Sequence, residues 1–239
     1  MKLHISITSI LVLLTTTLCA QTTAPAAKQT GPLFRTMGLG VNPEGLYYMN
    51  DKKDVPIAVT QNARSDFYPL PSSNPLEFYR LEKAADGSVA RIPVTRAAVP
   101  EGAKLLLFIF SEGPSKNIAV ETLDDSLAAF PGGTYRVLNR LNQPLDAVIK
   151  GQKSPIPAHG TALIDVRGPG TTRFVQISFA GTTPPRTILS NNWSYSADLR
   201  TLVIAAPSVP PSETPLVARI SEPVYLAQPQ ASPTPAKAP

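Results

Sequence analysis

Residues 130–166 read FPGGTYRVLNRLNQPLDAVIKGQKSPIPAHGTALIDV, and this stretch decides the fold. It predicts three short β-strands joined by turns. Pro131-Gly132-Gly133 opens the first, Asn142-Gln143-Pro144 separates it from the second, and Pro155-Ile156-Pro157-Ala158-His159-Gly160 leads into the third. Proline fixes φ and lacks a donor, glycine accepts left-handed backbone, and asparagine bonds its own neighbours, so each separator ends a strand for a stated reason. No catalytic signature lies in it.

The chain on either side has the same texture. Upstream, Leu33–Met37, Leu46–Asn50, Val55–Thr60, Leu76–Leu81 and Ala90–Thr95 read as strands, with Asp51-Lys52-Lys53-Asp54 and Asp86-Gly87 as solvated turns. The glycines of Gly38-Leu39-Gly40-Val41-Asn42-Pro43 do not form a dinucleotide fingerprint, because the third glycine is missing and proline stands where a helix would start. Downstream, Val175, Ile177 and Phe179 alternate with Gln176 and Ser178. Leu216, Ala218 and Ile220 repeat that pattern, and Thr201–Ala206 reads as a central strand. No long window has a helical period. The expectation is an all-β protein of two tandem immunoglobulin-like β-sandwich domains, one over residues 32–125 and one over 126–223.

Leu105-Leu106-Leu107-Phe108-Ile109-Phe110 is the most apolar run outside the N-terminus. It is too short to span a membrane, and in a strand its side chains point to both faces. One face fills its own sandwich. The other must be covered by the neighbouring domain, a long loop or a partner, which makes Leu105, Leu107, Phe108, Ile109 and Phe110 candidate protein-binding residues. The strand Asn117–Leu123 is expected to follow it, ending at Asp124-Asp125-Ser126.

An internal duplication is also expected. A shift of 88 residues places Gly45 on Gly133, Tyr47 on Tyr135, Pro56 on Pro144, Ile57 on Leu145 and Pro69 on Pro157.

The two ends read differently from the middle. Residues 1–20 combine Lys2, a charge-free apolar run around Ile10-Leu11-Val12-Leu13-Leu14 and a small residue, Ala20, as expected of a cleaved signal peptide. Residues 21–31 read as a disordered linker, and the Pro/Ala-rich 224–239 as a disordered tail. Cleavage near Ala20 would remove Cys19, the one cysteine, and His4, leaving His159 as the single imidazole. Sites built on Cys and His, disulfides and Cys/His nucleophile pairs are then excluded by composition, and a GxSxG elbow is absent. No cofactor is expected. The formal charge of +5 falls to +4 with the loss of Lys2, and the basic residues Arg64, Arg80, Arg96, Lys116, Arg136 and Arg173 are scattered rather than interleaved with aromatics. Nucleic-acid binding is therefore not expected, nor is an integral membrane segment in the processed chain.

Three small constellations remain. Glu121, Asp124 and Asp125 could meet a cation but lack EF-hand spacing, so a capped turn is expected. Asp146, Asp165 and Asp198 are the acids a carboxylate-only hydrolase would need, without visible pairing. Trp193 and Tyr195 are candidate glycan-binding aromatics, beside the formal sequon Asn192-Trp193-Ser194.

The segment FPGGTYRVLNRLNQPL, followed by the proline-glycine turn and the later Trp-Ser pair, resembles a group of uncharacterised exported bacterial β-sandwich proteins over Tyr47–Ala206. That resemblance implies no activity. The tandem sandwiches, export signal and basic balance also resemble periplasmic pilus chaperones, with Gly133–Asn139 similar to a second-domain strand. This implies a chaperone that lends a strand to a subunit and holds its carboxylate with an Arg/Lys pair. Here Leu105–Phe110 is continuously apolar rather than alternating, and the Arg/Lys pair has no residue-by-residue match. The function expected is an exported, periplasmic or extracellular, non-enzymatic cell-envelope protein that binds an envelope or surface protein or assists assembly. The alternatives are a carbohydrate-binding module or a chaperone-like protein.

Overall fold

The structure, a computed structural model, describes residues 31–228 other than 114, 183, 185 and 209–213. The expected signal peptide, all of the linker except Gly31, and the tail beyond Gln228 lie outside the described residues.

The first half contains β1 (Leu33–Leu39), β2 (Leu46–Asn50), β3 (Lys53–Ile57), β4 (Tyr68–Pro69), β5 (Leu76–Lys83), β6 (Val89–Ala97), β7 (Leu105–Glu112) and β8 (Ile118–Asp124). The second contains β9 (Thr134–Asn139), β10 (Leu145–Ile149), β11 (Gln152–Ile156), β12 (Thr161–Asp165), β13 (Thr172–Phe179), β14 (Thr187–Ser194), β15 (Leu199–Ala206) and β16 (Leu216–Pro223). These strands make four sheets, ordered β3-β2-β5-β6, β4-β1-β7-β8, β12-β9-β15-β16 and β11-β10-β13-β14. The protein is all-β, two tandem sandwiches, and the halves share one strand order.

Each half departs from an all-antiparallel sandwich in the same place. β1 pairs parallel with β7, from Leu33 opposite Leu105 to Leu39 opposite Ser111, and β9 pairs parallel with β15. Within each inner sheet the parallel pair therefore runs toward one end. The 88-residue register is not the one the fold uses, because it lays β2 on β9. A shift of 99 residues carries Leu46, Pro56 and Ile57 onto Leu145, Pro155 and Ile156, in matching hairpins.

Those hairpins also explain a strand that the sequence conceals. Asp51-Lys52 and Lys150-Gly151 all have positive φ, the two-residue turn geometry that follows the twist of paired strands. Residues 130–166 thus hold four strands, β9 to β12, rather than three. Pro155 sits inside β11 at no cost to the ladder because β11 is an edge, as β3 is around Pro56.

Three apolar cores follow from the alternation of side chains. Phe34, Tyr48, Phe78, Leu106, Phe108 and Phe110 fill the first sandwich. Tyr135, Val137, Ala147, Ile177, Trp193 and Val203 fill the second. The third core lies between the sandwiches, where Met37, Leu39, Leu107 and Ile109 from β1 and β7 meet Leu138, Leu202, Ile204, Ala218 and Ile220 from β9, β15 and β16. The layers therefore run outer sheet, inner sheet, inner sheet, outer sheet. Burial of each such aliphatic side chain contributes about 1.5–3 kcal/mol relative to exposure. The seam joins both sandwiches, and the described residues fall into one compact unit.

The chain after β16 is ordered further than the composition predicts. Val224–Ala227 forms a 3-10 turn, with Ala227 buried and Val224 N–H donating to Asp198 O at 2.7 Å. Among the described residues no helix is long and apolar enough to cross a membrane.

Candidate functional site

The seam has a charged end and an apolar end. At the charged end, near the starts of β1, β9 and β15, Arg35, Arg64, Arg136 and Arg200 meet Asp125 and Glu222. Arg200 is completely buried; its Nη2 lies 2.9 Å from Asp125 Oδ2 and 2.8 Å from Glu222 Oε2, and its Nη1 donates to Asp125 O at 2.7 Å. Arg35 reaches across the seam to Glu222 and donates its Nε to Ser65 O at 2.8 Å. Arg136 donates to the carbonyls of Asp124 and Ala129, and its guanidinium lies over Phe130, which Arg200 also faces. Burial alone would push the Glu222 carboxyl up, but the guanidiniums of Arg64, Arg35 and Arg200 outweigh it and hold the group below its ordinary value.

Buried ion pairs contribute little net stability, whereas removal of one partner strands the others. The network therefore fixes how the two inner sheets register. Its members give only a faint signal in the sequence: Arg35 and Arg136 each stand in a strand whose neighbours are apolar on both faces.

At the apolar end, where β1, β7, β9 and β15 run out, the seam opens into a cleft of about 800 Å³. Its floor is Leu39, Ile109, Leu138, Ile204 and Ala206, all members of the seam core. Val41 and Leu216 add apolar surface, and Glu121, Arg140 and His159 stand among the polar lining. Arg140 spans the two halves, gripping Glu121 on β8 with Nε and Nη2 and donating Nη1 to Asn139 O at 3.0 Å. Gly38 lets the chain fold back to Val41 at the rim, because a Cβ there would overlap Val41 O. His159 is exposed in its turn at φ 57° and bonds Asn142 Oδ1 at 2.9 Å rather than a carboxylate.

The structure redistributes the residues singled out in the sequence. Phe108 and Phe110 point into the first core, Leu107 and Ile109 into the seam, and Leu105 is buried at the mouth of β7. The neighbouring domain thus covers the second face, and none of these five side chains forms an exposed docking patch. Only Ile109 reaches the cleft. β7 is also hydrogen-bonded on both edges, to β1 and β8, so it has no free edge to lend.

Trp193 is 5% exposed, packed at 5.7 Å on Tyr135 and covered by the Arg219 guanidinium at 4.7 Å. Tyr195 carries Arg173 at 3.7 Å from its ring centre. Trp193 is thus spent on packing, whereas Tyr195 is half-buried with one ring face taken by the guanidinium.

Five of the six acids are likewise committed, and Asp198 lies exposed just before β15. Glu121 serves Arg140, Asp125 serves Arg200, and Asp124 caps Ser126 N at 2.9 Å. Asp165 holds Arg167 and is driven down to about 2 by that pair, while Asp146 on another sheet takes Lys153 at 2.9 Å. No protein-family model matches this chain, and no curated protein aligns with it.

Proposed function

We propose that this protein is an exported, non-enzymatic module of the cell envelope that binds an extended apolar segment of another protein in the cleft between its sandwiches. The carrying observation is the continuity of the cleft floor with the seam core. Leu39, Ile109, Leu138, Ile204 and Ala206 belong to both, so an inserted side chain would extend an existing core instead of starting one. The cleft has the size of a binding site, and its walls are rigid sheets joined across the rim by Arg140 and Glu121. The chemistry around it favours holding over turnover: His159 has an amide as its hydrogen-bond partner, and Glu121 is neutralised by a guanidinium.

Methyl-resolved titration of the purified protein with synthetic alternating apolar decapeptides tests this reading. Saturable shifts at Ile109, Ile204 and Leu138, lost on Ile204→Lys, are expected. Peptides that leave these methyls unmoved, or that move only outer-sheet residues such as Phe174, contradict it.

A further inference from the structure

The charged end of the seam carries more positive than negative charge. Four guanidiniums, those of Arg35, Arg64, Arg136 and Arg200, face the carboxylates of Asp125 and Glu222 and, more remotely, that of Asp124, an excess of one positive charge. The nearby Asp124 carboxylate is turned out to cap Ser126. Arg200 and Arg35 are matched by carboxylates, and Arg136 by two carbonyls and the face of Phe130.

Arg64 differs. Its side chain is 3% exposed; Nε lies 3.4 Å from Asp125 Oδ2 and 3.6 Å from Glu222 Oε2 without hydrogen-bond geometry. Nη2 reaches Asp125 Oδ1 only at 3.4 Å, and Nη1 finds no acceptor in the protein. Both carboxylates are already taken by Arg200, and Glu222 by Arg35 as well.

We propose that the seam holds one small inorganic anion of the halide class against Arg64 Nη1. A buried, charged donor without an acceptor is costly, and an unbalanced buried charge costs more still. One monovalent anion addresses both deficits at once, whereas a water addresses only the first. The enclosure of Arg64 selects a compact ion over phosphate or sulfate, which bring several oxygens that would each need a donor. Relief of Arg64 steadies the ion cluster that joins Arg35 on β1, Glu222 on β16 and the loop carrying Arg64, so the docking of the two sandwiches becomes halide-dependent.

The test compares the full chain in sodium chloride and sodium gluconate at equal ionic strength, and places bromide by anomalous diffraction. At about tenfold excess over the dissociation constant, chloride should raise Tm by about 3–6 °C. Bromide should sit in contact with Arg64 Nη1, and Arg64→Gln should abolish the chloride increment. If that variant does not fold, the bromide position and the wild-type salt comparison decide. Equal Tm in the two salts, water alone beside Arg64, or bromide bound only elsewhere overturns the proposal.

Discussion

Glu222 stands opposite Arg35, Arg64 and Arg200, and its loss leaves Arg64 and Arg200 to share Asp125 and Arg35 without a carboxylate partner. Glu222→Gln should therefore cost about 3–5 kcal/mol in urea unfolding, far more than a surface pair would. The pH dependence has a definite sign. The folded carboxyl titrates below its ordinary value of 4.5, so the unfolded chain binds the proton more readily. The stabilisation is complete above that value and is lost as pH falls through the lower, folded one. Urea midpoints measured from pH 7 downward should be level at first and then drop below about 4.5, and Glu222→Gln should remove part of the drop. A variant that loses stability in parallel with the wild type across the whole range would show that Glu222 is not the titrating group. Beyond the apolar strands around Arg35 and Arg136, little of this was visible in the sequence, where Arg64 looks like the other scattered basic residues. Burial of a charge depends on which strand faces which sheet, and no local pattern encodes that.

At the level of the strand, β7 is the clearest case of a sequence that announces its own environment. Six consecutive apolar residues require cover on both faces, and both were found inside the chain. Other strands were hidden for physical reasons. β11, QKSPI, is an edge with four of five residues not buried, so it needs neither alternation nor freedom from proline. β14 likewise buries only Trp193 and reads as a polar loop. The 88-residue repeat failed because it matched tyrosines and prolines that recur at strand ends in any sandwich, whereas the hairpin register of 99 matches buried positions. The seam makes a prediction that separates it from the two private cores. Leu107→Ala and Leu202→Ala should each cost about 2–5 kcal/mol, and the pair should depart from additivity by about 0.5–3 kcal/mol. Leu107→Ala combined with Ile177→Ala, which belongs to the second sandwich core, should be additive. Equal coupling in both cycles would mean that the seam is not a separate packing unit.

For the molecule as a whole, the two sandwiches are one folding unit because the central strands of each inner sheet pack against those of the other. Sandwiches of this size bury a modest share of their surface alone, and no disulfide is within reach of a chain whose single cysteine is Cys19. The third core supplies the difference, and its open end supplies the cleft. Differential scanning calorimetry on the purified protein tests this directly. A single transition is predicted, with equal calorimetric and van't Hoff enthalpies, splitting into two when Leu202→Asp places a charge in the seam. Two independent transitions in the wild-type protein would contradict the shared core.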